Sequence, residues 1–196
     1  MKLILYLSFF FTLSLYAQDS KVIKEIKLHQ LEQNILFQTK GKSPLKEVER
    51  KYFKDLPFFD IDLSFRVEAT LTKTPSTSFF QMKTTTDRLS DERVYAVLSF
   101  VLKGKEYHLN VYQGEQLMMQ KGYEDYLFLP FLDDTNSETT YGGGRYLDLR
   151  IPNGNKIIVD FNKAYNPYCY YNSRYSCPIV PSENYVPLKI TAGVKK

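Results

Sequence analysis

The sequence predicts a mostly β fold of the α+β kind: an N-terminal helix, then seven or eight mainly antiparallel strands in a sandwich or a bent, partly open barrel. Three observations carry this expectation. The chain has no Trp but 16 Tyr and 14 Phe, and aromatic side chains suit the pleated, half-buried surface of a strand. From residue 64 onward apolar residues recur at every second position, which is the period of a strand. Turn signals, Lys103-Gly104-Lys105 and Asn153-Gly154, separate the apolar runs.

Residues 1–17, MKLILYLSFFFTLSLYA, read as a cleavable signal peptide. Lys2 supplies the positive start, Leu3 to Tyr16 the apolar stretch and Ala17 the small residue at the cut. The stretch is shorter than the ~20 residues a spanning helix needs, so no stable membrane span is expected after cleavage. No Cys follows the cut, which argues against a lipid anchor. Residues 18–196 then form a single domain, large enough to bury a core, in the periplasm or outside the cell. The formal charge of +4 comes from interleaved acids and bases without a Lys/Arg cluster, so nucleic acid is not an expected partner.

Over 19–40, Val22, Ile23, Ile26, Leu28, Leu31, Ile35 and Leu36 are spaced by threes and fours, as in an amphipathic helix. Gly41 ends it. Ser43-Pro44 opens a short helix to about residue 53, and Leu56-Pro57 stops it. Strands follow over 64–71, 79–85, 93–102, 106–111, 126–132 and 147–151. In 93–102, Val94, Ala96, Leu98 and Phe100 share one face. Asn153-Gly154 then turns the chain into a hairpin with 157–161. Leu188 and Ile190 form a last strand.

The polar information lies between residues 133 and 184. The loop from Asp133 runs through Tyr141 and three glycines, Gly142 to Gly144, into Arg145 and Asp148. Glycines allow close approach to a ligand or a positive φ, and Arg145 can clamp a carboxylate or phosphate. Arg145 can equally pair with Asp148 or Asp160. Asp133, Asp134 and Glu138 are oxygen ligands of the kind Ca²⁺ takes, but no metal or other cofactor is expected overall. A second group is Asp160, Asn162, Tyr165 and Asn166. The third runs from Cys169 to Asn184 and includes Cys177, Glu183 and Asn184. Two Cys in an exported chain are most simply a disulfide; two thiols alone do not make a metal site. His29 and His108 read as solvated histidines on a helix and on the outward face of a strand. With no other His and no Gly-x-Ser-x-Gly elbow, a serine-type triad is not supported.

These same segments resemble one known family, the uncharacterised bacterial and archaeal domain DUF1684. The resemblance rests on Phe131, Asp133 and Thr135, on Thr140-Tyr141-Gly142-Gly143-Gly144-Arg145-Tyr146-Leu147-Asp148, on Asp160-Phe161-Asn162 and on Ala164-Tyr165-Asn166-Pro167. Cys169, Cys177-Pro178, Pro181, Glu183-Asn184 and Ala192-Gly193 complete it, with a looser fit at Ser43-Pro44-Leu45 and at Phe53 to Leu56. The chain departs from it at Tyr185 and Val194, where the family usually has Arg and Glu. The resemblance implies a shared fold and a shared polar cluster in which Arg145, Asp148, Asp160, Asn162, Asn166 and Glu183 meet. It implies no activity. The expected function is binding of a small anionic or sugar-like ligand through that cluster. The alternatives are a carboxylate-dependent hydrolase of glycans or esters, and an envelope interaction protein using Tyr165, Tyr168, Tyr170, Tyr171 and Tyr175.

Overall fold

The computed structural model describes residues 2–74 and 77–196, with side chains from Gln18 onward; the expected leader, 1–17, lies outside the residues so described. Helix α1 (Lys2–Gln38) precedes eight strands. These are β1 (Arg66–Lys73), β2 (Phe80–Lys83), β3 (Leu89–Leu102), β4 (Lys105–Gly114), β5 (Tyr126–Asp133), β6 (Arg145–Arg150), β7 (Lys156–Asp160) and β8 (Tyr185–Val186). They form one strongly curled half-barrel sheet in the order β6-β5-β4-β3-β1-β7, with β2 beside β3 and β8 beside β5. All pairings are antiparallel except β5 with β8.

The alternation seen in the sequence sets the inner face. Ala69 and Leu71, Ala96 to Leu102 at even positions, Leu109, Leu127, Leu129, Leu147 and Val159 all point into one core. Each fully buried Leu or Phe contributes roughly 1.5–3 kcal/mol. The expected face of 93–102 breaks at one point. The β3–β4 register shifts between Val94 and Ala96, and this bulge rotates Val94 out of the core. Val94 packs instead on the outer face with Met82, Tyr112, Phe128 and Tyr146. The C-terminal segment, with Tyr165, Tyr168, Tyr175 and both Cys, folds over that same outer cluster.

Three further expectations are corrected. The last strand is Tyr185–Val186, not Leu188 and Ile190; Ile190 is buried in the core instead. On α1 the packed stripe contains Ile26 and Phe37, while Leu28, Leu31 and Ile35 are each more than half exposed. Asn153-Gly154 makes its turn, with Gly154 at φ 117°, but no hairpin. β6 pairs only with β5, and β7 only with β1. The backbone beside the turn explains why: Ile151 N–H donates to the Asp125 carbonyl, and the Asn155 carbonyl accepts from Leu71 N–H, both at 2.8 Å. Each strand spends its hydrogen bonds on its own neighbour. Consecutive strands thus end up at opposite ends of the sheet, and the curl brings those ends face to face across an unpaired seam.

Candidate functional site

The seam opens into a cleft of about 740 Å³. β6 supplies Asp148 and β7 supplies Asp160; His29 of α1 lies across it, and Tyr165, Tyr168 and the stretch from Tyr175 to Pro178 form another wall. Tyr146, Asp148 and Arg150 alternate with the core residues of β6 and therefore face outward. One oxygen of Asp148, Oδ1, accepts hydrogen bonds from Tyr126 Oη at 2.7 Å and Tyr165 Oη at 2.6 Å. Tyr126 reaches it because Phe128 is its direct cross-strand partner, which leaves Tyr126 as the diagonal neighbour. Burial, reinforced by the Asp148 charge, pushes both phenols up from their ordinary value, so they remain donors. No group among the described residues bonds Asp148 Oδ2.

Asp160 closes the adjoining end. Its Oδ1 accepts from Asn162 N at 3.1 Å and Nδ2 at 2.9 Å, capping the 3₁₀ turn Phe161–Lys163. Its Oδ2 is buried without a hydrogen bond and stands 3.6 Å from Arg66 Nε. His29 is half-buried. It is therefore not the solvated residue its sequence context suggested. Burial, then the Lys163 charge, lowers its pKa, with Glu32 and Asp148 opposing. The folded protein keeps His29 neutral where the unfolded chain, near 6.5, already takes a proton. Stability is thus full above about pH 6.5 and falls as pH drops from there to the folded value. Urea midpoints at pH 5.5 and 7.5 are expected to differ less in His29→Gln than in the native chain; an unchanged difference refutes the linkage.

Arg145 is not in the cleft. It points from β6 into the core with no exposure and pairs there with Asp133 at 2.6 Å, both side chains wholly buried. It also donates to the carbonyls of Ala192, Ile190 (2.8 Å) and Val194 (3.4 Å). The guanidinium therefore anchors the C-terminal tail instead of a ligand, and neither Asp148 nor Asp160 is its partner. Gly144 before it is required by close packing and not by a ligand: a Cβ there, at φ 87°, would meet the Phe131 carbonyl at 2.6 Å. Asp134 accepts from Tyr185 Oη, and Glu138 pairs with Lys189 at 2.6 Å, so the loop acids do not converge as Ca²⁺ ligands. Among the described residues no group of three or more metal-ligating side chains is placed to hold an ion.

The amides are also structural. Asn162 bonds both backbone groups of Asp62. Asn166 donates to the Lys195 carbonyl at 3.0 Å. Asn184 bridges Asn110 and the Pro130 carbonyl, replacing ladder bonds where β4 and β5 share a single pair. Glu183 is exposed, and Tyr141 lies against Tyr170. The predicted cluster thus splits. Asp148, Asp160 and Tyr165 meet in the cleft; Arg145, Asn162, Asn166 and Asn184 form the buried frame; Tyr141 and Glu183 belong to neither. Sequence reasoning missed Tyr126, His29, Lys163, Arg66 and Tyr168. Only the seam between two consecutive strands that do not pair brings them together, and no local pattern marks it.

Cys169 and Cys177 are thiols in the structure, not the expected disulfide. They are in contact, with Cys177 Sγ accepting from Cys169 N–H at 3.2 Å. Burial pushes the Cys177 thiol up to about 12, so it offers no thiolate nucleophile at neutral pH. Their contact suits oxidation to a bridge. The air-oxidised protein is expected to weigh about 2 Da less than the reduced one, one hydrogen lost per thiol. Two titratable free thiols after oxidation would exclude it.

The fold and cleft define a β half-barrel whose unpaired seam carries a polar site crossed by one helix. The chain belongs to the DUF1684 family, described as a protein of unknown function, whose model matches residues 51–195. It is similar to the solution NMR structure of the uncharacterized protein from gene locus rrnAC0354 of Haloarcula marismortui, at 31% identity and TM-score 0.71. That likeness covers 92% of this chain and 97% of the other. No curated protein matches the chain. Among the described residues no helix is long and apolar enough to cross a membrane.

Proposed function

We propose that this chain is an exported protein, cut after Ala17, whose seam cleft binds a small anionic or sugar-like ligand. One observation carries the reading. Asp148 is held through Oδ1 by two tyrosine hydroxyls and presents its other oxygen in a cleft within the ~300–1,000 Å³ range of small-molecule sites. Several residues behind the family resemblance, Tyr146, Leu147, Asp148, Asp160, Tyr165, Cys177 and Pro178, line this cleft. A thermal-shift panel of sugars, organic acids, phosphates and nucleotides tests it. A ligand selective for the folded state raises the midpoint by mass action, ~2.7 kcal/mol at a hundred times its dissociation constant. Asp148→Asn should abolish that rise without lowering the ligand-free midpoint. A hit indifferent to Asp148→Asn places the ligand elsewhere.

Hydrolysis by two carboxylates is the second reading, because Asp148 and Asp160 line one cleft. Turnover of chromogenic glycosides or esters that is lost in both Asp148→Asn and Asp160→Asn would support it; no turnover across such a panel would count against it. The tyrosine run favours the cleft over a partner surface. Tyr165, Tyr168 and Tyr175 line the cleft, Tyr171 packs on Phe37, and of the five only Tyr170 is exposed.

A further inference from the structure

We infer that Asn153 is a site of self-modification: the backbone nitrogen of Gly154 displaces its side-chain amide, and water then converts the residue to aspartate or isoaspartate. The inference stands apart from the ligand reading of the cleft. It starts from the unpaired seam. In a β-hairpin the ladder would clamp the chain on both sides of the turn. Here β6 pairs with β5 and β7 with β1, and the last fixed groups are Ile151 N–H and the Asn155 carbonyl. Between them, Pro152, Asn153 and Gly154 make no hydrogen bond among the described residues, and Asn153 and Gly154 are exposed. Exposed backbone without such bonds moves locally at little cost.

This asparagine is set apart from the others. Asn153-Gly154 is the only Asn-Gly pair of the sequence, and a nitrogen followed by no Cβ is unshielded, on a backbone that rotates freely. The space around Gly154 is open, with nothing within 4 Å of a Cβ built there. Asn136 and Asn172, each followed by a small Ser, have their amides held. Asn136 Nδ2 donates to Thr140 Oγ1 and the Tyr141 carbonyl, both at 3.0 Å, and Asn172 Nδ2 donates to the Pro44 carbonyl at 3.2 Å. Asn155 is exposed, but the nitrogen after it belongs to Lys156, fixed in β7 opposite Thr70.

The Gly154 nitrogen, on losing its proton to hydroxide, attacks Cγ of Asn153. The N–Cγ bond forms, the Cγ–Nδ2 bond breaks, and ammonia leaves with a proton from water, giving a five-membered succinimide. Water then adds to either carbonyl. Addition at Cγ gives aspartate; addition at the backbone carbonyl gives isoaspartate, with the main chain rerouted through Cβ and Cγ. Either product carries a new negative charge and weighs about 1 Da more than the asparagine. The charge enters the connection between two walls of the cleft, since Leu149 and Arg150 precede the turn and Ile157 and Ile158 follow it.

Incubation of the full chain at mildly basic pH and physiological temperature tests this, beside a urea-unfolded sample kept until its own Asn153 has reacted. Trypsin releases residues 151–156 between Arg150 and Lys156, and fragmentation in the mass spectrometer reads Asn153 and Asn155 separately. The folded chain is expected to gain about 1 Da at Asn153, in two chromatographic forms. Its rate should be no less than about a tenth of the unfolded rate, and mildly acidic pH should slow it. Asn153→Gln should lose the gain, because its longer side chain would have to close a six-membered ring, while Asn155→Gln should keep it. A folded chain that stays unmodified while the unfolded one reacts overturns the inference. A gain that appears first at another asparagine, or that persists in Asn153→Gln, overturns it as well.

Discussion

Arg145→Ala is expected to cost about 3–5 kcal/mol, the loss that follows when one partner of a buried ion pair is removed. The domain's whole stability is of order 5–15 kcal/mol, so the variant should lose most of its folded population or melt far earlier. The cost has two parts. Asp133, with no side-chain exposure, keeps a charge that only Thr135 and the remaining local bonds address. The carbonyls of Ile190, Ala192 and Val194 lose the donor that draws the tail over the core. Circular dichroism melts check this. Arg145→Met combined with Asp133→Leu should recover part of the loss, because the pair is then removed together. A near-native melt for Arg145→Ala would show that the tail is held by apolar contacts alone and that the frame has been misassigned.

Gly193→Ala is the second large effect. Gly193 sits at φ 78°, and a Cβ there would lie 2.7 Å from the carbonyl oxygens of both Phe161 and Ala164. These are backbone atoms of the turn that carries Asn162 and Lys163, and they cannot swing aside. The conformation alone costs a non-glycine residue about 1–3 kcal/mol, and the clash adds to it. Gly41 is the matched control, at φ 80° with nothing within 4 Å of a Cβ. Gly193→Ala should therefore melt well below Gly41→Ala, by roughly 2–4 °C for each additional kcal/mol. Equal midpoints would mean that the tail shifts without strain and does not brace the floor of the seam.

Much of the fold is readable in the sequence because it depends on local period. The alternation at Phe65, Val67, Ala69 and Leu71 and at Tyr107, Leu109 and Val111 predicts strands that the structure contains, and the half-barrel is one of the expected architectures. What escapes the sequence is set by pairing between distant segments. Asn153-Gly154 specifies a turn, but whether the flanking strands pair depends on competition from Asp125 and Leu71, which no turn residue reveals. The meaning of the Gly142 to Asp148 motif divides by the same logic. On one strand, odd positions enter the core and even positions face the seam, so Arg145 becomes an anchor while Asp148, three residues on, becomes the site. Arginine in such a motif suggests a ligand clamp; only the buried Asp133, twelve positions away, shows otherwise. His29 illustrates the converse, since an ordinary helix position gains a cleft role only once α1 crosses the seam.

The most direct test of the central claim, that the unpaired seam is the ligand site, is an amide-detected NMR titration of the chain against the same small-molecule panel. Binding is expected to move the resonances of Asp148, Lys163, Tyr165, Tyr168 and His29 together while leaving those of the loop from Asp134 to Gly143 in place. A ligand that perturbs that loop and spares the seam residues would contradict the account.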